Sequence, residues 1–241
     1  MKIKDFYPLY ITLLFTIFSC SESPSLIGAW ERYYTDNSGT NVRSVVIFSE
    51  KFRSIAMYDA TSGEFIYSNG GYWELNGDVI TETIEFDTNN PHRVGEIVSF
   101  KIEINKNTLS IADANWNFRK IDDGSPGLLK GAWLMSARFR NGKKQTRSVN
   151  TPRKTMKILS GTRFQWIAYD TEKKEFKGTG GGTYTTQNGK YSEKIEFFSR
   201  DDSRVGMNLE FDFNIDNGDW IHKGKTSKGD PLHEIWEKRK N

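Results

Sequence analysis

The chain holds one cysteine, Cys20, among 241 residues. A secreted domain pinned by disulfides needs at least a pair, so the folded part must rely on its core. Histidine is nearly as scarce. The three histidines, at 92, 222 and 233, have no zinc-site spacing. There are 34 basic and 31 acidic residues, for a formal net charge of +3. Both signs are interleaved, which excludes the basic stripe that nucleic acid requires. The glycines of "GTGGGTY", 178–184, open a strand and meet no helix, so they do not form a phosphate-cradling loop. "ILSGTR", 158–163, lacks the strand–Ser–helix frame of a nucleophile elbow. Neither half of the chain carries a convincing amphipathic helix, and no metal or cofactor is expected. What is present is 14% aromatic residues, 21 glycines and many short apolar runs between turn signals. That composition is globular and leans towards β structure.

The N-terminus has the plan of an export signal. Lys2 and Lys4 precede an apolar stretch from Phe6 to Phe18, which is shorter than the ~20 residues that span a bilayer. Its end, "IFSC", resembles a bacterial lipoprotein signal, with Phe18 standing where a small residue is usual. The resemblance implies cleavage before Cys20 and lipid attachment to its sulfur, with residues 1–19 as signal peptide and 20–26 as a polar tether. A durable anchor follows from multiple acylation, at about 0.8 kcal/mol per buried methylene. The expected address is the cell envelope, with the protein lipid-anchored to the membrane. An ordinary signal peptide with a coincidental cysteine is the alternative.

The rest of the chain repeats itself. "LIGAW" ends at Trp30 and "LLKGAW" at Trp133. Further on, an offset of 111 pairs Tyr58-Asp59 with Tyr169-Asp170 and Gly70-Gly71 with Gly181-Gly182. The same offset pairs "ETIEF" (82–86) with "EKIEF" (193–197), and "RVG" (93–95) with "RVG" (204–206). The period is a domain length, so two domains are expected, 27–121 and 128–241, joined by a linker at 122–127. Within each, apolar and polar residues alternate as in strands with one dry face. Val98, Phe100, Ile102 and Ile104 form one such face; Leu209, Phe211, Phe213 and Ile215 form the other copy's. Turn signals such as "LNGD" and "QNGK" punctuate the runs.

Gly-Ala-Trp on the first strand, "GGGTYTTQNGKYSEKIEF", "DWIHKG" and a closing "EIWEK" together resemble a bacterial lipocalin-like domain family of unknown function. The likeness is strong over 128–240 and looser over 26–121, which lacks the His-Lys-Gly segment. It implies an all-β fold: two tandem small antiparallel up-and-down barrels of the lipocalin or calycin type. It implies no activity.

The offset also predicts where side chains point. It aligns Trp220 with Leu109 and His222 with Ile111, the apolar alternates of "TLSIA", so both should face inward. Glu193 shares a face with Tyr191, Ile195 and Phe197, and is expected inside with its counterpart Glu82. Tyr184 aligns with Trp73, and Trp166 alternates with Phe164. The second barrel is therefore expected to be lined by Trp166, Tyr184, Tyr191, Glu193, Trp220 and His222, a mixed texture suited to a small molecule. Equally open is a structural role, with the two glutamates paired to Arg93 and Arg204 and His222 bonded to a tyrosine. Trp30 and Trp133 are expected to plug the barrel floors. Glu85 and Glu196 fall on the opposite face and are expected to be solvated, as are "TEKKE", "EKRKN", His92 and His233.

The leading functional expectation is an envelope protein that binds a small amphipathic or saccharide-like molecule in the second barrel. One alternative is an enzyme using Glu193 and His222 as acid and base, with Tyr191 or Tyr184 as electrophile. Another is a structural or protein-interaction module, whose sign would be interiors filled by side chains.

Overall fold

The computed structural model describes residues 25–240. The signal segment and Cys20 lie outside the described residues. The first half forms β1 (Gly28–Thr35), β2 (Asn41–Phe48), β3 (Phe52–Asp59), β4 (Phe65–Asn76), β5 (Val79–Asp87), β6 (Ile97–Lys101), β7 (Glu103–Ile104), β8 (Thr108–Ile111) and β9 (Trp116–Asp122). The second forms β10 (Gly131–Arg140), β11 (Lys143–Thr146), β12 (Arg153–Leu159), β13 (Arg163–Asp170), β14 (Glu175–Gln187), β15 (Lys190–Phe198), β16 (Asn208–Asp216), β17 (Asp219–Lys225) and β18 (Pro231–Lys238). All pairings are antiparallel, and all join chain neighbours apart from β10–β12, which passes over β11, and the ring-closing pairs β1–β9 and β10–β18. The first barrel is nearly closed, interrupted at Ile102 between β6 and β7; the second is fully closed. Two tandem up-and-down barrels are thus what the alternation and the repeat specify.

The repeated motifs have local physical reasons. Trp30 and Trp133 are buried, and each indole N–H donates to a carbonyl four residues back, at Leu26 and Leu129, both at 2.8 Å. The two indoles are thus held in the same way in the two copies. The paired glycines mark a β-bulge in β4 and β14. There the backbones approach so closely that a Cβ on Gly71 would collide with the Thr83 carbonyl, and one on Gly182 with the Lys194 carbonyl.

The barrels are joined by more than their linker. Asp122 accepts hydrogen bonds from the Gly161 and Thr162 amides (2.9 and 3.0 Å) and from the Ser160 and Thr162 hydroxyls (2.8 and 2.6 Å). The outer faces of β2, β3 and β5 pack on those of β12 and β13 in one shared apolar cluster that includes Ile47, Phe52, Phe86, Met156, Ile167 and Tyr169, and Phe197 of β15 joins Val45, Ala56 and Tyr58 in a second. The contacts are reciprocal. Tyr58 donates to Glu196 at 2.8 Å, and its counterpart Tyr169 donates to Glu85 at 2.5 Å. Phe65 stacks on its own counterpart, Phe176, at 6.1 Å. This is the pattern of an isologous interface, written within one chain.

The interface corrects several expectations. Glu85 and Glu196 are not solvated: Arg239 and Tyr169 hold the first, and Arg163, Arg43 and Tyr58 hold the second. Arg239, within the supposedly wet "EKRKN", also lies over the Phe52 ring at 3.7 Å. Alternation assigned these outer faces to water because it cannot see a second barrel covering them. His92 is exposed, but His233 is half-buried in β18 and stacks on Phe139 at 3.9 Å. Ile215, on the expected dry face, is exposed near the β16–β17 turn.

Candidate functional site

The six residues expected to line the second barrel come together there, as packing. Tyr184, Tyr191, Glu193, Trp220 and His222 are all buried, while Trp166 is half-buried against Phe198. Tyr191 is the hub. Its ring makes edge contacts with Trp220 at 5.1 Å, His222 at 5.6 Å and Phe164 at 6.4 Å. Trp133 and Trp236 close on Trp220 from the other side at 5.9 and 5.8 Å. Tyr184 donates to the Ser160 carbonyl at 2.6 Å and so ties β14 to the loop beneath the barrel.

Glu193 is paired with Lys157, at 2.6 Å, and not with Arg204 as expected. Arg204 instead bonds Asp201 and Ser227, fastening the β17–β18 turn at the barrel's upper end. The Lys157 ammonium lies among five rings, 4.9 Å from Tyr191 and 5.1 Å from Trp220, which supply cation–π attraction in place of water. His222 Nδ1 is 3.5 Å from Glu234, too long for a good hydrogen bond, and both ring nitrogens are buried without a partner among the described residues. Burial, reinforced by Lys157, pushes this imidazole below its ordinary value, so it is neutral at pH 7. The candidate acid and base therefore sit in a filled interior, one clamped by a lysine and the other uncharged.

The first barrel differs. It encloses a cavity of about 330 Å³, within the range of small-molecule sites. Its walls include Ile55, Ile80, Ile102, Leu109 and Phe118, and it extends to Arg93, Asp113 and Trp116 at the end where the short turns Pro91–Arg93 and Ala112–Ala114 lie. Three polar side chains of its wall are more than nine-tenths buried: Arg53, Asn69 and Glu82. Arg53 donates to one oxygen of Glu82, taking the place expected for Arg93. Arg93 pairs with Asp87 at 2.8 Å. Burial pushes the Glu82 carboxyl above its ordinary value, and Arg53 pulls against that shift. Tyr67 donates to Asp87 at 2.9 Å and accepts from the Asn69 amide at 2.8 Å.

Arg53, Asn69, Tyr67 and Lys157 were not legible as site residues from alternation alone. The 111 offset carries the signal: it sets Arg53 against Phe164, Asn69 against Gly180 and Lys157 against Val46, each a polar residue facing an apolar or absent side chain.

Residues 128–241 match the family DUF4488, a domain of unknown function. The second barrel is therefore similar to that family, in agreement with the resemblance carried by its motifs. Among curated proteins, none matches the chain.

Proposed function

We propose that the protein is a lipid-anchored binding protein of the cell envelope whose first barrel takes up a small, mainly apolar molecule, with the second barrel as its rigid scaffold. The observation that carries this reading is the apolar cavity with buried polar groups in the first barrel. The second barrel spends the corresponding volume on Tyr191, Trp220 and Trp236. The envelope address rests on the leader, whose Lys2, Lys4, apolar core and Cys20 fit export and acylation.

The test is uptake of the neutral dye Nile red by the two-barrel body, residues 25–240. Saturable blue-shifted emission at one dye per chain is expected, with loss of at least ten-fold in affinity for Leu109→Trp, which carries the second barrel's residue into the first. Uptake unchanged by Leu109→Trp would remove the first barrel as the site. For the anchor, the full chain should incorporate labelled palmitate in cells and lose that label in Cys20→Ser; equal labelling of both would overturn it.

A further inference from the structure

A basic cleft lies between the barrels, at the end where the chain enters them. Its volume is about 530 Å³, and its apolar lining comes from Ile27 and Phe52 of the first barrel and Leu159 of the second. Its charged residues are Lys51, Lys130, Lys238, Arg239 and Lys240, against Glu50. Two of the cations are engaged: Arg239 pairs with Glu85 at 2.5 Å, and Lys51 lies 3.7 Å from Glu74. Lys130, Lys238 and Lys240 are exposed and have no carboxylate partner among the described residues. Lys238 leans into the cleft over Gly131; its ammonium is 3.8 Å from where a Cβ on that glycine would stand. The nearby Asp122 carboxylate is turned away into the 160–162 loop, which donates four hydrogen bonds to it. Gathering three unpaired ammonium groups on one cleft costs repulsion that an anion relieves.

The position of the cleft says which anion it meets. Ile27 lines it and follows Cys20 by seven residues, which span at most about 25 Å of chain. Lys120 stands at the same point of entry and donates to the Ser25 carbonyl at 3.2 Å. An acyl chain on Cys20 therefore holds this end of the molecule at the bilayer surface. This inference rests on that anchor and adds what the folded body touches there. The cavity of the first barrel opens at the opposite end. Its mouth residues Ile111 and Trp116 pair at one end of β8 and β9, whereas the other end of β9, Asp122, pairs with Ala29 beside the chain entry.

We propose that the cleft docks on anionic phospholipid headgroups of the membrane that carries the anchor. The lysine stems lie along its apolar lining, and the ammonium groups donate to phosphate oxygens. Each lysine at an anionic surface contributes about five-fold in partitioning. That attraction fades within a Debye length of about 8–10 Å, so only an end held at the surface gains it. The barrels then stand with the cleft on the bilayer and the mouth of the first barrel turned away from it.

The experiment is vesicle co-sedimentation of the chain from residue 20 onward with Cys20→Ser, which carries no acyl chain. The vesicles are phosphatidylcholine alone, or phosphatidylcholine with about one third phosphatidylglycerol, at about 0.1 M salt. Binding to the anionic vesicles should be stronger by about ten-fold or more. Adding Lys130→Gln, Lys238→Gln and Lys240→Gln together should remove about ten-fold or more of that binding. Lys143→Gln, Lys144→Gln and Lys173→Gln together take the same charge from exposed positions at the other end of the second barrel. That triple change should cost less than about three-fold. Equal losses from the two triple variants overturn the docking site, as does a starting protein that binds both vesicles alike, a comparison that needs no lysine variant to fold. Full release by inorganic phosphate at constant ionic strength also overturns it, by assigning the cleft to the free ion. Absence of palmitate label at Cys20 overturns the anchor instead, and the vesicle assay makes no use of that label, so the two failures are distinct.

Discussion

Two copies of one barrel occupy this chain, and a handful of side chains decides that one is hollow and the other solid. The second barrel places Tyr191, Trp220 and His222 where the first has Ile80, Leu109 and Ile111. On the closing strands, Trp236 stands opposite Met135 as Phe118 stands near Trp30. The strands and bulges are the same, so backbone geometry does not make the cavity; the volume of the inward residues does. Both interiors retain one acid, Glu82 or Glu193, and each supplies a cation from a different strand, Arg53 on β3 and Lys157 on β12, the counterpart of β2. A buried carboxylate requires a partner wherever the fold can provide one, and either neighbouring strand can.

That shared acid gives the sharpest way to break the comparison. Lys157→Met leaves Glu193 unpaired in a filled interior and should cost about 3–5 kcal/mol of stability, measured by urea unfolding. Arg53→Met should cost distinctly less, because Arg53 lines a cavity and removing its guanidinium opens a way for water to reach Glu82. Equal losses would mean that the two chambers are equally wet or equally dry, and the contrast between them would collapse.

The converse exchange comes next in size. Trp220→Leu gives the second barrel the first barrel's residue and removes a fully buried indole that touches Trp133, Tyr191 and Trp236. A cost of about 2–4 kcal/mol is expected, since the surrounding rings can collapse only in part. Leu109→Trp inserts the same bulk into existing space and should change stability by under about 1 kcal/mol. If Leu109→Trp proves the more damaging of the two, the first chamber is not the looser one.

Much of this was legible in the sequence, and what was not has a common cause. Alternation with a period of two places Trp220, His222 and Glu193 inside correctly, because a strand's faces are fixed by its own residues. It cannot say whether an inward face meets empty space or another ring, since that depends on side chains from strands far apart in sequence. Trp133, Trp220 and Trp236 come from β10, β17 and β18, and only ring closure brings them together. The same limit hid the interface. Tyr58, Tyr169, Glu85 and Glu196 were visible as repeat marks, yet their hydrogen bonds run between the two copies, where no local pattern reports them.

The smallest effect, and the one most specific to the filled interior, is on pH dependence. The folded-state pKa of His222 is depressed below its ordinary 6.5, first by burial and then by Lys157. The unfolded chain therefore binds a proton at His222 below pH 6.5 that the folded chain refuses, and the folded state loses stability as pH falls from 6.5 towards the folded value. The slope can reach about 1.4 kcal/mol per pH unit. Glu82 acts in the opposite sense: its folded pKa is raised above 4.5, so the cost of ionising it is relieved on acidification. Comparison of two proteins at each pH cancels that contribution. His222→Ile, the first barrel's own residue at this place, has no proton to refuse. Urea midpoints of the two proteins should diverge in favour of the variant by about 1 kcal/mol between pH 7 and pH 5.5. A gap that stays constant over that interval would mean that the imidazole takes up its proton as readily in the folded barrel as in water, which a sealed interior does not permit.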